Sequence, residues 1–334
     1  MFPPLRIPAL LAGLALFAVA SPAAEPLPAL DARPVPLADS ATGSERIGQL
    51  RALGLLELPS RTVNGLRLAG LSDLAWDDDD GVLYALSDLG ALFGLRPVFR
   101  AGRLTDLSLV SAAPLLRPDG NRRLRHWQAD GEGLDIANGR NGRRGDAELI
   151  VSFEGEPPRV ARYRPDGTFV REEPLPAPLR DTAPYRSANK TLESVCLHPR
   201  AGLITTPEQP RRDDPEGRAR LYALSGSSWT YPRPHGGVVA LECLPNGDVL
   251  LLERDFQPTQ LRTVISLHRL RLPRRSNDLV EMTRLATLDS DTGLKLDNFE
   301  GLARHRGNRF FLVSDDNDVF LQRTLLLYVE ITDR

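Results

Sequence analysis

The 334-residue chain is 26% charged and 41% hydrophobic, the balance of a globular protein large enough for one sizeable β domain or two smaller ones. Its formal net charge of −2 excludes a global field that would draw it to nucleic acid or to an anionic membrane. Lys190 and Lys295 are its only lysines, so nearly every positive charge is an arginine.

At the N-terminus, Arg6 precedes a mostly apolar run, residues 7–20, which ends in Ala18-Val19-Ala20 and fits the small-x-small cleavage rule. The expectation is a signal peptide over residues 1–20 and export to the periplasm or the medium. The run is too short and too flanked by proline for a stable membrane span, and no cysteine follows it to carry a lipid. No later stretch reads as transmembrane, so no membrane association is expected after signal removal. Residues 21–44 are rich in Pro, Ala and Ser and read as a linker, leaving 45–334 as the folded domain.

From Leu53 onward the chain consists of apolar runs of four to seven residues, broken by Gly, Pro, Asn and Asp. These suit strands and are too short for helices, so the fold class is all-β. Five segments repeat one theme, an apolar strand bearing an early polar residue and then a second apolar strand that ends in polar residues. They begin near Gly70, Asp130, Asn189, Gly237 and Asp297. Asp73 to Asp88, Glu193 to Glu208 and Glu300 to Asp315 are each fifteen positions apart, and a hairpin returns such positions to one end. Glu132 to Glu154 is twenty-two, with a Gly-, Asn- and Arg-rich loop at 138–144 to hold the excess. The fourth repeat has Glu253 but no acidic partner at its first position. Further strand-like runs follow each hairpin, and Asp166-Gly167 reads as a turn between two of them. About four strands per repeat predicts a β-propeller with five recognisable blades, or six if a long inter-repeat segment hides a degenerate one. The fifth repeat is short of strands; residues 324–331 supply one, and residues 53–58 from the N-terminus would close the ring.

Glu132, Glu193, Glu300 and Asp315 are the candidates for metal ligand or catalytic base. Asp316 and Asn317 are further candidate ligands, and Glu253 lies in the same register. Oxygen donors without His or Cys favour Ca²⁺, with Mg²⁺ as the alternative, over zinc. Lys190, Arg254 and Arg323 could bring cations to the same rim and hold the phosphate or carboxylate of a small ester. The plainer reading is that these acids accept hydrogen bonds from neighbouring blades and hold the ring together. The Asp77–Asp80 run reads as a solvated turn, and His198 and His305 as surface loop positions. Cys196 and Cys243 fall at comparable places in neighbouring repeats, either as a disulfide or as two buried thiols. No nucleophile elbow, zinc motif, Walker loop or nucleic-acid module is present.

Along residues 66–330 the motif order is G-L-S-x-L, D-x-E-G-L, N-x-x-x-E, L-E-R, D-N-x-E-G-L and S-D-D-N. This order resembles the bacterial family called "esterase-like activity of phytase". The third motif, Asn189-Lys190-Thr191-Leu192-Glu193-Ser194, departs from the family's Gly-rich form around the Glu. The resemblance implies an exported β-propeller, nominally a hydrolase; the expected activity is metal-assisted hydrolysis of a small-molecule phosphate or carboxylic ester by a monomer. A non-catalytic propeller that binds an ion or small molecule is the alternative.

Overall fold

A computed structural model describes residues 27, 29–38, 45–125, 128–273, 279–317, 319 and 322–332. The expected signal peptide and residues 21–26, 28 and 39–44 of the expected linker lie outside them.

Five antiparallel sheets form the blades of a β-propeller, four of them four-stranded and the fifth extended to six strands. Three strands precede the first blade, the short β1 (Arg33–Pro34) and β2 (Arg46–Ile47) and the longer β3 (Leu50–Leu58), and then the hairpin β4 (Arg61–Val63) and β5 (Leu66–Leu68). Blade I is β6 (Leu71–Asp77), β7 (Val82–Ser87), β8 (Ala91–Arg100) and β9 (Arg103–Pro114). Blade II is β10 (Gly131–Ala137), β11 (Glu148–Phe153), β12 (Arg159–Tyr163) and β13 (Phe169–Glu173), with Gly167 at φ 80° turning β12 into β13. Blade III is β14 (Ser194–His198), β15 (Gly202–Thr206), β16 (Arg218–Ala223) and β17 (Ser228–Pro232). Blade IV is β18 (Gly237–Cys243), β19 (Asp248–Gln257), β20 (Arg262–Arg271) and β21 (Glu281–Asp289). Blade V is completed across the termini: β22 (Asn298–Arg304), β23 (Arg309–Asp315) and β24 (Thr324–Ile331) are followed in the sheet by β3, in register from Thr324↔Leu58 to Ile331↔Leu50. This is the closure expected from the sequence. Residues Arg33–Pro34, inside the stretch read as a linker, pair with the outer edge of β3, and Leu30 is buried beside them.

The pattern of each strand follows from its place. Second strands are covered on both faces by adjoining blades and are apolar nearly throughout, as in Val82–Ser87, where all six residues are buried. Outer strands meet solvent on one face and alternate, as the first half of Arg103–Pro114 does. The core is divided accordingly. One apolar cluster lies at each of the five junctions between neighbouring blades; Leu71, Phe93, Phe311 and Tyr328, for example, join blades I and V.

Side chains on the inner strands stitch the junctions a second time. Asp73 of blade I is fully buried and accepts from the backbone N–H groups of Leu134 in blade II, at 2.7 Å, and Leu302 in blade V, at 2.9 Å. Asp135 of blade II accepts from Leu197 N of blade III, and Glu242 of blade IV from Arg304 N of blade V, at 2.8 Å. Between blades III and IV the link is covalent: Cys196 and Cys243 form a disulfide across a Cα–Cα distance of 5.5 Å.

Candidate functional site

Pairing within each inner hairpin defines two rings at one end of the axis. In blades I, II, IV and V the ladder skips one residue of the inner strand, at Ser72, Glu132, Val239 and Glu300. Glu193, one residue before β14 begins, takes the matching place in blade III. A β-bulge leaves the skipped residue unpaired and re-aims its side chain. The second ring lies where the second strands end: Asp88, Glu154, Glu208, Arg254 and Asp315, with Asn298↔Asp315 and Gly237↔Arg254 as paired examples.

The fifteen-residue spacing that grouped Asp73 with Glu193 and Glu300 is therefore a coincidence of turn lengths. Asp73 is paired with Leu86 one position past the bulge, and its carboxylate serves the blade junctions instead of the mouth. The fourth repeat is likewise offset. Glu253 accepts from Gly236 N at 2.7 Å and meets His268 Nε2 at 2.8 Å, away from the axis, while Arg254 fills the ring position held elsewhere by an acid.

Glycine explains the Glu-Gly step in two of the motifs. A Cβ on Gly133 would lie 2.6 Å from Ser194 Cα, and one on Gly301 would lie 2.7 Å from Asp73 Cα. The inner strands of adjacent blades thus approach too closely for a side chain just behind Glu132 and Glu300.

Burial and mutual repulsion dominate the electrostatics of the mouth. Glu132 is raised well above the ordinary carboxylate range by burial and then by Glu193 and Glu300. Glu193 is raised by burial and then by Glu154 and Glu208. Burial lifts Glu154 to about 8, and burial followed by Asp315 lifts Asp88 to about 7. Glu300 is pushed up to about 8 by burial, against the pull of Arg254, and Asp315 to about 6 by burial. The two groups are close enough that Asp315 adds to the rise of Glu300. Arg254 donates to both Asn298 and Glu300, and Asn298 Nδ2 donates to Glu300 at 2.9 Å. Burial would depress the Arg254 guanidinium, but Glu300, Glu193, Glu208 and Asp315 together hold it above its usual value.

Asp130, Glu132 and Glu154 each place a carboxylate oxygen within 4.8 Å of the other two, so this acidic cluster could bind a metal. An all-oxygen donor set at this spacing fits a hard divalent cation. Asp88 Oδ1, Thr191 Oγ1 and Ser194 Oγ are buried without hydrogen-bond partners among the described residues and add unspent oxygens near the mouth. Beside Glu154 a cavity of about 340 Å³ is lined by Arg117, Arg159 and Tyr163. The Arg159 guanidinium sits 3.8 Å over the Phe153 ring, which fixes its place on that wall.

Of the residues singled out from sequence, Glu132, Glu193, Glu300, Asp315 and Arg254 converge on this mouth, and Lys190 joins them through an ion pair with Glu208. The others are committed elsewhere. Asp316 accepts from Gly70 N at 2.8 Å and from Thr324 Oγ1 at 2.9 Å. Asn317 Nδ2 donates to Gln322, and Arg323 bonds to Asp297 at 3.3 Å rather than to the ring. Asp130 and Arg159 were missed. Asp130 opens the D-x-E-G-L motif, which was its available signal, whereas nothing in the local sequence marks Arg159. His198 and His305, expected in surface loops, are both buried; His305 packs among Trp76, Phe99 and Tyr328, and its Nδ1 lies 2.6 Å from Tyr328 Oη.

Fold and mouth together define a five-bladed propeller with a carboxylate-lined axial site. The chain belongs to the phytase-like family described as "esterase-like activity of phytase", whose profile matches residues 66–318. No curated protein matches the sequence. Among solved structures it is similar to a Bacteroides caccae protein of unknown function, at 12% identity and a TM-score of 0.38, over 84% of this chain and 81% of that one. It is also similar to an endo-arabinase from Bacteroides thetaiotaomicron, at 13% identity and a TM-score of 0.45, over 80% of this chain and 95% of that one.

Proposed function

We propose that the chain is an exported, monomeric hydrolase of phosphate or carboxylic esters, working at the acidic mouth with a divalent cation of the Ca²⁺ class. Mg²⁺ is the alternative ion. The observation that carries this reading is the cluster of Asp130, Glu132 and Glu154, with Glu300, raised to about 8 by burial, close by. Export is supported by the Ala18-Val19-Ala20 cleavage pattern and by the disulfide.

Asp130, Glu132 and Glu154 would hold the ion, with Glu193 facing them. When bound, such an ion supplies positive charge that polarises an ester oxygen and favours ionisation of water. The protein's own groups do the rest. Arg117 and Arg159 line the adjoining cavity and suit an anionic substrate group. Glu300 keeps a proton near neutrality and can donate it to the leaving oxygen, while Arg254 orients that carboxyl group. Asn298 fixes the Arg254 guanidinium in turn.

A non-catalytic cation-binding propeller is the second reading. It is favoured by the pairing of Arg254 with Glu300 and of Lys190 with Glu208, which leaves those two cations already neutralised.

Melting with chelator and with millimolar CaCl₂, together with hydrolysis of p-nitrophenyl phosphate and p-nitrophenyl acetate, separates the readings. The expected stabilisation is about 2.7 kcal/mol at a hundredfold excess of ion over its dissociation constant. Glu132→Gln should remove most of it, and Glu300→Gln should lower turnover roughly a hundredfold or more while keeping ion binding. Identical melting curves with and without calcium or magnesium would sink the metal reading. Ion binding without hydrolysis of either ester would favour the second reading.

A further inference from the structure

The opposite end of the propeller axis is also built, by residues the acidic mouth does not use. A cavity of about 340 Å³ opens where the inner strands finish, and all five blades reach it, through Trp76, Ile136, Leu197, Cys243 and Arg304. That volume is in the range of small-molecule pockets.

Its roof is the 138–145 loop between β10 and β11, and the Asp77–Asp80 run explains why that loop is held. The run is no idle solvated turn. Asp79 accepts from Asn141 N at 2.8 Å and from Gly142 N at 3.1 Å, and Asp80 accepts from Gly145 N at 2.8 Å. Gly139 O takes the N–H groups of Asp78 and Asp79. From the other side, Arg140 crosses the axis and donates to the carbonyls of Arg304, at 2.8 Å, and His305. The loop is thus latched to blades I and V, and the cavity beneath it is pre-formed.

The charges in the cavity come in two pairs. Asp135 and Glu242 stand at equivalent positions of β10 and β18, each two residues beyond the small residue that follows the bulge position, Gly133 or Ala240. Both oxygens of Asp135 are spent on the N–H groups of Ile136 and Leu197. Glu242 spends one oxygen on Arg304 N, and its other oxygen has no hydrogen-bond partner among the described residues. Opposite it, Arg140 and Arg304 lie close enough for their like charges to interact. Arg304 uses only Nε, on Gly307 O at 3.1 Å, which leaves its terminal NH₂ groups without a partner among the described residues.

Glu242 is half-buried, and the loss of solvent around its carboxyl group raises it to about 8. It faces two guanidinium groups, and a molecule that carries both a donor cation and an anion would draw off its proton and satisfy both sides. The geometry points to a second ligand site here, for a small zwitterion of the amino-acid type, its ammonium on Glu242 and its carboxylate between Arg140 and Arg304. A simple anion would leave Glu242 unmet, and a simple amine would leave the two arginines repelling each other.

Titration calorimetry on the full chain tests this with glycine, L-alanine and L-glutamate as zwitterions, and with acetate and ethylammonium as single-charge probes. At least one zwitterion should bind saturably and more tightly than either single-charge probe. Glu242→Gln and Arg304→Gln should each weaken that binding about tenfold or more. Arg304→Gln sits at the rim and keeps the test usable if Glu242→Gln fails to fold. Neither change should alter ester hydrolysis at the acidic mouth, so the two sites fail or succeed independently. The proposal is overturned if no zwitterion binds at about 10 mM, if acetate binds as well as the best zwitterion, or if a folded variant binds as the wild type does.

Discussion

At the scale of single residues, burial decides which carboxyl groups keep a proton. Burial is the largest cause in lifting Asp135 to about 6 and Glu154 and Glu242 to about 8. Unfolded carboxyl groups titrate near 3.9 and 4.3, so these folded values are all raised. Their stabilising contribution is complete below the unfolded values and is lost as pH climbs through the folded ones. His198 and His305 act oppositely. Burial depresses both, His305 to about 4, and they favour the folded state increasingly as pH rises towards their unfolded value near 6.5. Above that pH the carboxyl groups remain. The melting temperature of chelator-treated protein should therefore fall as pH is raised from about 6.5 to about 8.5. A flat or rising melting temperature over that interval would show that these groups are not held protonated. Arg254 belongs to the same scale. It offsets, in blade IV, the repulsion that a fifth ring carboxylate would add.

Among the elements, the inner strands carry both packing and stitching. Four of the five blade junctions are tied by a carboxylate accepting a neighbouring backbone N–H, and the junction of blades III and IV by the disulfide. The cross-link closes a segment of 47 residues, for which loop entropy predicts stabilisation of about 4 kcal/mol, with measured values commonly about 2–4. The double variant Cys196→Ser, Cys243→Ser should lose about that much in urea denaturation while keeping the propeller fold. A midpoint equal to that of the oxidised wild type would mean that apolar packing alone secures this junction.

For the whole molecule, closure is the defining event. β24 is the last strand contributed by the C-terminal part of the chain, and only β3 from the N-terminal part covers its edge. Deleting residues 45–60 removes that cover together with the buried Leu50, Leu53, Leu55, Leu56 and Leu58. The truncated protein should melt at lower temperature and aggregate through the exposed edge. Light scattering checks this; a truncation that stays monomeric with unchanged melting would show that β3 does not close the ring.

The sequence alone was enough for the all-β class, the five hairpin repeats and the closure, because apolar period and turn chemistry are local and recur. The acidic mouth was legible in outline, since Glu132, Glu193, Glu300 and Asp315 sit in repeated motifs. Tertiary structure decided the rest. Counting residues cannot see a β-bulge, so Asp73 and Glu253 were placed one register away from where pairing puts them. Nor can it see which oxygens are already spent, as in Asp316 and Asn317. The β10–β11 hairpin by itself brings Asp130 and Glu154 beside Glu132, whereas closure of the ring sets Glu193 and Glu300 against that cluster and Arg140 against blade V across the axis. The contacts made by closure join residues far apart in the chain, and their geometry depends on how tightly neighbouring blades can approach at Gly133 and Gly301.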